Sequence, residues 1–125
     1  MARMLVLDVH KNDVYEKECS TLQDYYGTIQ CNCIDIVRRK IGERWFDVIV
    51  DDEGWLKPEE EIFVSAIDSR RRVDLVGTLI FANHDDEGNE TDLSDMDIEH
   101  IRSFIKAAFL RDGTIQPMLT GCEMV

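Results

Sequence analysis

The sequence predicts an α+β fold: a mainly antiparallel β-sheet with one short helix and one long C-terminal helix, in a single domain spanning residues 1–125. Three observations carry this. Apolar, β-branched runs of strand length recur along the chain, as in RMLVLDV, CIDIVR and DLVGTLIFAN. Short turn signals rather than long crossovers separate most of them, which favours antiparallel neighbours. Only one stretch, after Ser94, keeps helical spacing over several turns.

Taken in order, Arg3 to Val9 reads as a strand buried on both faces, because Met4, Leu5, Val6 and Leu7 are all apolar. HKND at 10–13 is a turn, and Val14 to Glu18 is the returning strand. Ser20 is expected to cap a short helix, TLQDYYG, that Gly27 ends. Gln30 to Arg38 and Arg44 to Asp51 form a hairpin around KIGE. DDEGWLKPEEE is a polar surface excursion, followed by the short strand IFVSAI. Arg72 to Asn83 reads as one strong strand, with a bulge or close backbone approach at Gly77. Ser94 with Asp97 makes an acidic capping box, and Ile98, Ile101, Ile105 and Ala108 lie on one face of a helix from Asp95 to Leu110. RDG at 111–113 closes that helix, and TIQPMLTGCEMV is an extended tail.

The totals bound the function. A chain of 125 residues with 26 acids, 14 bases and a formal net charge of −12 disfavours duplex DNA and anionic membrane surfaces alike. No window has the apolar length to span a bilayer, and the opening MARMLVLDVHKNDV lacks the form of a secretory signal, so the expected compartment is cytoplasmic. The four cysteines, Cys19, Cys31, Cys33 and Cys122, are then expected to be reduced and mostly packed.

Chemistry-bearing motifs are sparse. NHDDEGNETDLS imitates the start of a calcium loop through Asn83, Asp85 and Glu87, but its twelfth position is Ser94 and a strand precedes it, so no metal is expected there. His10, His84 and His100 are scattered and the cysteines form no C-x-x-C pair, which argues against zinc. No phosphate-cradling glycine loop, dinucleotide fingerprint or nucleophile elbow is present, so no cofactor and no catalytic residue is expected. Ser20, Cys31 and Cys33 would each need a base brought by the fold. The cations are more informative because they are few. Nine arginines outnumber five lysines, with clusters at Arg38-Arg39 and Arg70-Arg71-Arg72 and with Arg44 beside Trp45. Such arginines either pair with neighbouring carboxylates or, near Trp55, Phe81 and Asn83, line a pocket for a small anion.

Three blocks together, CNCIDIVRRKIG with RWFDVIVDDEGWLK, VDLVGTLIFANHDDEGNETDLSDMDIEHI, and LRDGTIQPMLTGCEMV, resemble a small family carried by phages and mobile elements of Gram-positive bacteria. Within it the chain is similar to the first family of Thoeris anti-defence proteins, phage products that sequester cyclic ADP-ribose-type signals, some relatives also trapping cyclic oligonucleotides of the CBASS system. The resemblance covers residue 28 to the end. It implies a dimer that can assemble into a hexamer, pockets at subunit boundaries, action in the bacterial host cytoplasm, and binding of the signal without cleavage. Carried over by position, it points to Phe81 and Asn83 after the VG strand and to Arg111 with Asp112 at the helix end, and more weakly to Arg38 and Arg39.

The expectation is therefore a non-enzymatic, homo-oligomeric sponge for a small cyclic nucleotide. Arginines would hold its phosphates, Phe81 would stack on the base and Asn83 would bond a base edge or ribose. The alternatives are an acidic protein-interaction inhibitor, for which the charge is the supporting feature, and a small nucleotide-cleaving enzyme using His84, Asp85 or Asp86.

Overall fold

The computed structural model describes residues 2–109 and 113–124. Strand β1 (Ala2–Asp8) turns through HKND into β2 (Asp13–Cys19), and helix α1 (Leu22–Ile29) follows. Strands β3 (Ile34–Ile41) and β4 (Arg44–Asp51) form a hairpin. Two single 3₁₀ turns, Gly54–Leu56 and Glu59–Glu61, make up the polar excursion. Then come β5 (Val64–Ile67), β6 (Val73–Val76), β7 (Leu79–His84), β8 (Glu90–Thr91), helix α2 (Asp95–Ser103), β9 (Ile105–Phe109), β10 (Ile115–Leu119) and β11 (Cys122–Glu123).

The strands make two sheets. The larger runs β11-β3-β4-β7-β1-β2, with β8 paired to the end of β7, and the smaller runs β6-β5-β10-β9. Among the described residues all pairings are antiparallel except that of β10 with β5. Because side chains alternate along a strand, each face of the larger sheet has its own apolar cluster. Met4, Val6, Ile49, Ile80 and Ala82 pack under Tyr25 and Ile29 of α1. Leu5, Leu7, Phe46, Val48, Leu79 and Phe81 face the other way, toward Ala66, Leu75 and Leu119 of the smaller sheet and Ile98 and Ile101 of α2. The apolar runs of β1 and β7 are thus central strands covered on both sides.

The long C-terminal helix is not formed. Both helices are short, and α2 ends at Ser103 with Phe104 as its C-cap. Of the apolar stripe, Ile98 and Ile101 are buried on α2, whereas Ile105 and Ala108 belong to β9, paired to Leu119 and Gln116 of β10. The backbone N–H and the hydroxyl of Thr120 both donate to the Phe104 carbonyl, so a tertiary strand contact takes up the group that a continuing helix would need. Arg72 to Asn83 is not one strand either. It divides at Gly77, whose φ of +79° lets the chain leave the smaller sheet at Val76 and enter the larger at Leu79. The cap of α1 is Thr21, in a capping box with Asp24, and Gly27 lies inside the helix. Among the described residues no helix is long and apolar enough to cross a membrane.

Candidate functional site

The β3–β4 hairpin explains the run of three cations, Arg38, Arg39 and Lys40. Its turn is Gly42-Glu43, with φ of +51° and +73°, the doubly left-handed pair of a type I′ connection. That turn sets the register, placing Arg38 opposite Asp47, Arg39 opposite Phe46 and Lys40 opposite Trp45. Alternation then sends Arg39 toward the smaller sheet and Arg38 and Lys40 to the face that carries α1.

Arg39 grips Asp74 of β6 with two bonds, Nε to Oδ2 at 2.8 Å and Nη2 to Oδ1 at 3.1 Å. Their side chains are 12% and 11% exposed, so this is a largely buried fork between the two sheets. Cys122 sits beside it, and burial, with a hydrogen bond to Asp74, pushes its thiol well up. Arg39 is thereby a structural residue, not a ligand contact.

Arg38 has a different setting. Helix α1 has eight residues, about 12 Å of cover, so part of this sheet face stays open. The uncovered part is a groove of about 360 Å³ with an apolar floor of Ile36, Ile49 and Ala82 and walls from Arg38, Asp47, His84 and Glu90. Asp47 Oδ2 lies 2.5 Å from His84 Nδ1, a hydrogen-bond distance between carboxylate and imidazole. The Arg38 Nη1 atom lies 3.3 and 3.2 Å from the two ring nitrogens, so it rests against the imidazole rather than on one lone pair. It reaches Asp47 Oδ1 only at 3.4 Å, and its guanidinium lies over Trp45, 5.8 Å from the ring centroid. With its side chain 45% exposed, Arg38 is the cation of this groove that can take a new partner.

The opposite wall is fixed by a contact from the helix. The Tyr25 hydroxyl donates to Glu90 Oε1, and burial first and Glu90 second push that phenol up. Between β7 and β8 the acidic loop closes on itself: Asp85 Oδ1 accepts the N–H groups of Glu87 and Asn89 at 3.0 and 2.9 Å. Among the described residues there is no group of three or more His, Cys, Asp or Glu side chains placed to hold a metal ion.

The residues expected from the sequence come together only in part. Phe81 is 0% exposed, packed between the sheets in the inner core, and cannot stack on a ligand. Asn83 borders the polar recess at the hairpin beside Arg38 and His84, with its Oδ1 accepting the His84 N–H at 2.9 Å. Arg111 and Asp112 lie outside the described residues. The four cysteines are free. None is an activated nucleophile: burial raises Cys19 and Cys31, and a hydrogen bond to Glu53 raises Cys33. Asp47, Trp45, Ile36 and Glu90 were not singled out as site residues, and the signal for the first three was the hairpin register itself.

Residues 2–106 match a family described as a domain of unknown function, DUF3846. The chain belongs to that family. The matched segment of this DUF3846 chain holds every wall and floor residue of the groove, while β10 and β11 lie beyond it. No curated protein and no solved structure matches the chain.

Proposed function

We propose that the protein is a non-enzymatic binding module for a small phosphate-bearing nucleotide, held in the groove beside Arg38. The observation that carries this reading is the combination of a half-exposed guanidinium with a bare apolar floor of Ile36, Ile49 and Ala82. A volume of about 360 Å³ suits one compact ligand. Arg38 would take the phosphate, the floor one face of a base, and Glu90 or Asp47 an exocyclic amino group. The groove is amphoteric, with carboxylates outnumbering its one arginine, so it favours a ligand that offers hydrogen-bond donors as well as an anion. Sequestration of cyclic ADP-ribose-type or cyclic oligonucleotide immune signals, within a phage-infected cytoplasm, is the specific form of this proposal that the sequence resemblance favours.

A second reading rests on the Asp47–His84 pair. A carboxylate against Nδ1 of an imidazole is a pairing that general bases use, which would make the protein a nucleotide-cleaving enzyme. One experiment separates the two. The purified protein is incubated with cyclic ADP-ribose isomers and cyclic dinucleotides, washed and heated, and the released material is weighed by mass spectrometry. Intact ligand supports the binding module, an altered mass supports cleavage, and no retained or altered nucleotide contradicts both.

A further inference from the structure

The outer edge of the larger sheet is only partly covered. Strand β11 is two residues long and pairs with Ile41 and Lys40 alone, so from Ile34 to Arg39 no described strand lies beside β3 on that side. The type I′ turn makes Ile41–Arg44 a hydrogen-bonded pair. Odd-numbered residues of β3 therefore bond to β4, and the backbones of Ile34, Ile36 and Arg38 point outward. Two of these outward groups meet only their own neighbours: Asp35 Oδ1 accepts the Ile36 N–H, and the Arg38 carbonyl accepts from Arg39 Nη1, each at 2.9 Å. At the centre of the open stretch stands Ile36, a β-branched apolar side chain 54% exposed.

We infer that this edge pairs with a second copy of the chain, antiparallel, about a two-fold axis at Ile36. The register follows from elimination. An axis at Val37 or Arg38 drives the partner's residues into the positions that β11 already occupies, and at Arg38 it also sets two guanidinium groups face to face. An axis at Asp35 opposes two carboxylates. An axis at Ile36 does neither: Ile36 meets the partner's Ile36, Ile34 lies under the aliphatic stem of the partner's Arg38, and Asp35 meets Val37. The ladder replaces the two local side-chain contacts with backbone bonds, as in other edge-to-edge associations. Such a contact is isologous and closed, and it removes the aggregation hazard of a bare edge.

The pairing also completes the groove. Ile36 is part of its floor, so the partner's Ile36, with Cα atoms about 5.5 Å apart in a hydrogen-bonded pair, extends the apolar floor across the axis. Two related grooves merge into one trough, their Arg38 residues offset by about 14 Å along the strands. The inference stands on the edge geometry and holds whichever ligand the groove takes.

Light scattering at micromolar concentration tests it first, with a species of twice 14.5 kDa expected for the native chain. The Ile36→Lys variant, which opposes two ammonium groups across the axis, should return a 14.5 kDa monomer with its melting cooperativity intact. The register is read by cross-linking: Ile36→Cys should oxidise to a covalent dimer, because that spacing fits a disulfide, and Asp35→Cys should not. Peptide mapping assigns the bridge apart from the native Cys33. A native monomer throughout, an Ile36→Lys dimer, or equal bridging at positions 35 and 36 would each overturn the inference.

Discussion

Arg38 and Arg39 are adjacent in sequence, identical in chemistry and opposite in circumstance. Arg39 points between the sheets, where Asp74 receives it in a two-bond fork and little water reaches either group. Arg38 points to the face that α1 leaves open, with one long contact to Asp47, an imidazole against it and an indole beneath. A basic run on a strand is thus two half-runs. One half joins layers of the fold, and the other is available to a ligand. The chain's net charge of −12 does not decide which is which; the pleat does.

The contrast breaks most sharply under alanine. Arg39→Ala leaves the Asp74 carboxylate in a largely buried site without its partner, and a loss of about 3–5 kcal/mol is expected in denaturant titrations. Arg38→Ala should change stability by no more than about 0.5 kcal/mol. Replacing both members of the inner pair, Arg39→Met with Asp74→Leu, should recover most of the loss, because an apolar pair of similar volume needs no compensating charge. If Arg38→Ala and Arg39→Ala cost the same, the two faces do not differ as described.

Next in size is the turn that sets the register. Gly42 holds φ of +51°, and a Cβ there would overlap the Phe104 ring. Gly42→Ala should cost about 1–3 kcal/mol from backbone strain alone, with more from displacing Phe104. Since Arg38 and Arg39 share this turn, the variant should disturb both faces, weakening ligand capture as well as lowering the melting temperature.

A smaller, pH-dependent effect belongs to the inner face alone. The Cys122 thiol is pushed above its ordinary 9.0 by burial and by Asp74. The folded state therefore keeps a proton that the unfolded chain releases. The sign follows: the contribution is fully present below pH 9.0 and is lost as pH rises toward the folded value. Stability should decline above that pH in the native chain, and Cys122→Ala should flatten the part of the decline owed to this thiol.

The smallest effect sharpens the outer face. Thr21 caps α1 in a box with Asp24, and Thr21→Ala should cost about 1 kcal/mol while loosening the helix that carries Tyr25 to Glu90. Asp24 is held below its ordinary 3.8 by the N–H groups of Ser20 and Thr21. Its contribution is present above that value and lost as pH falls below it, so the native chain and Thr21→Ala, which keeps both N–H groups, should each lose stability in acid.

The strands were legible where alternation or a continuous apolar run was strong: β1, β2 and the β3–β4 hairpin stand within a few residues of their expected places. The end of α2 was not, because Ile105 and Ala108 continue the helical spacing of Ile98 and Ile101, and only the distant partner β10 turns IKAAF into a strand. The division of Arg72–Asn83 into two sheets was hidden for the same reason: a glycine fits a bulge and a sheet change equally well. Phe81 could have been read correctly. It lies in Leu79-Ile80-Phe81-Ala82, a run apolar on both faces, which is the mark of a covered central strand rather than of a stacking platform. The different fates of Arg38 and Arg39 also follow from alternation, once the turn at Gly42 is placed. The Asp47–His84 contact joins positions 37 residues apart and needs the β4–β7 pairing, which no local pattern announces.

The most direct measurement of the central claim is titration calorimetry of native, Arg38→Ala and Arg38→Lys protein with the nucleotide that the native chain retains. Removing a charge-assisted contact is worth about 1.5–3 kcal/mol, so Arg38→Ala should weaken binding roughly ten- to hundredfold at unchanged melting temperature. Arg38→Lys should recover little, since an ammonium cannot reproduce the guanidinium's planar fork or its stacking on Trp45. Unchanged affinity in Arg38→Ala, with the native chain binding well, would contradict the assignment and move the ligand away from this face of β3.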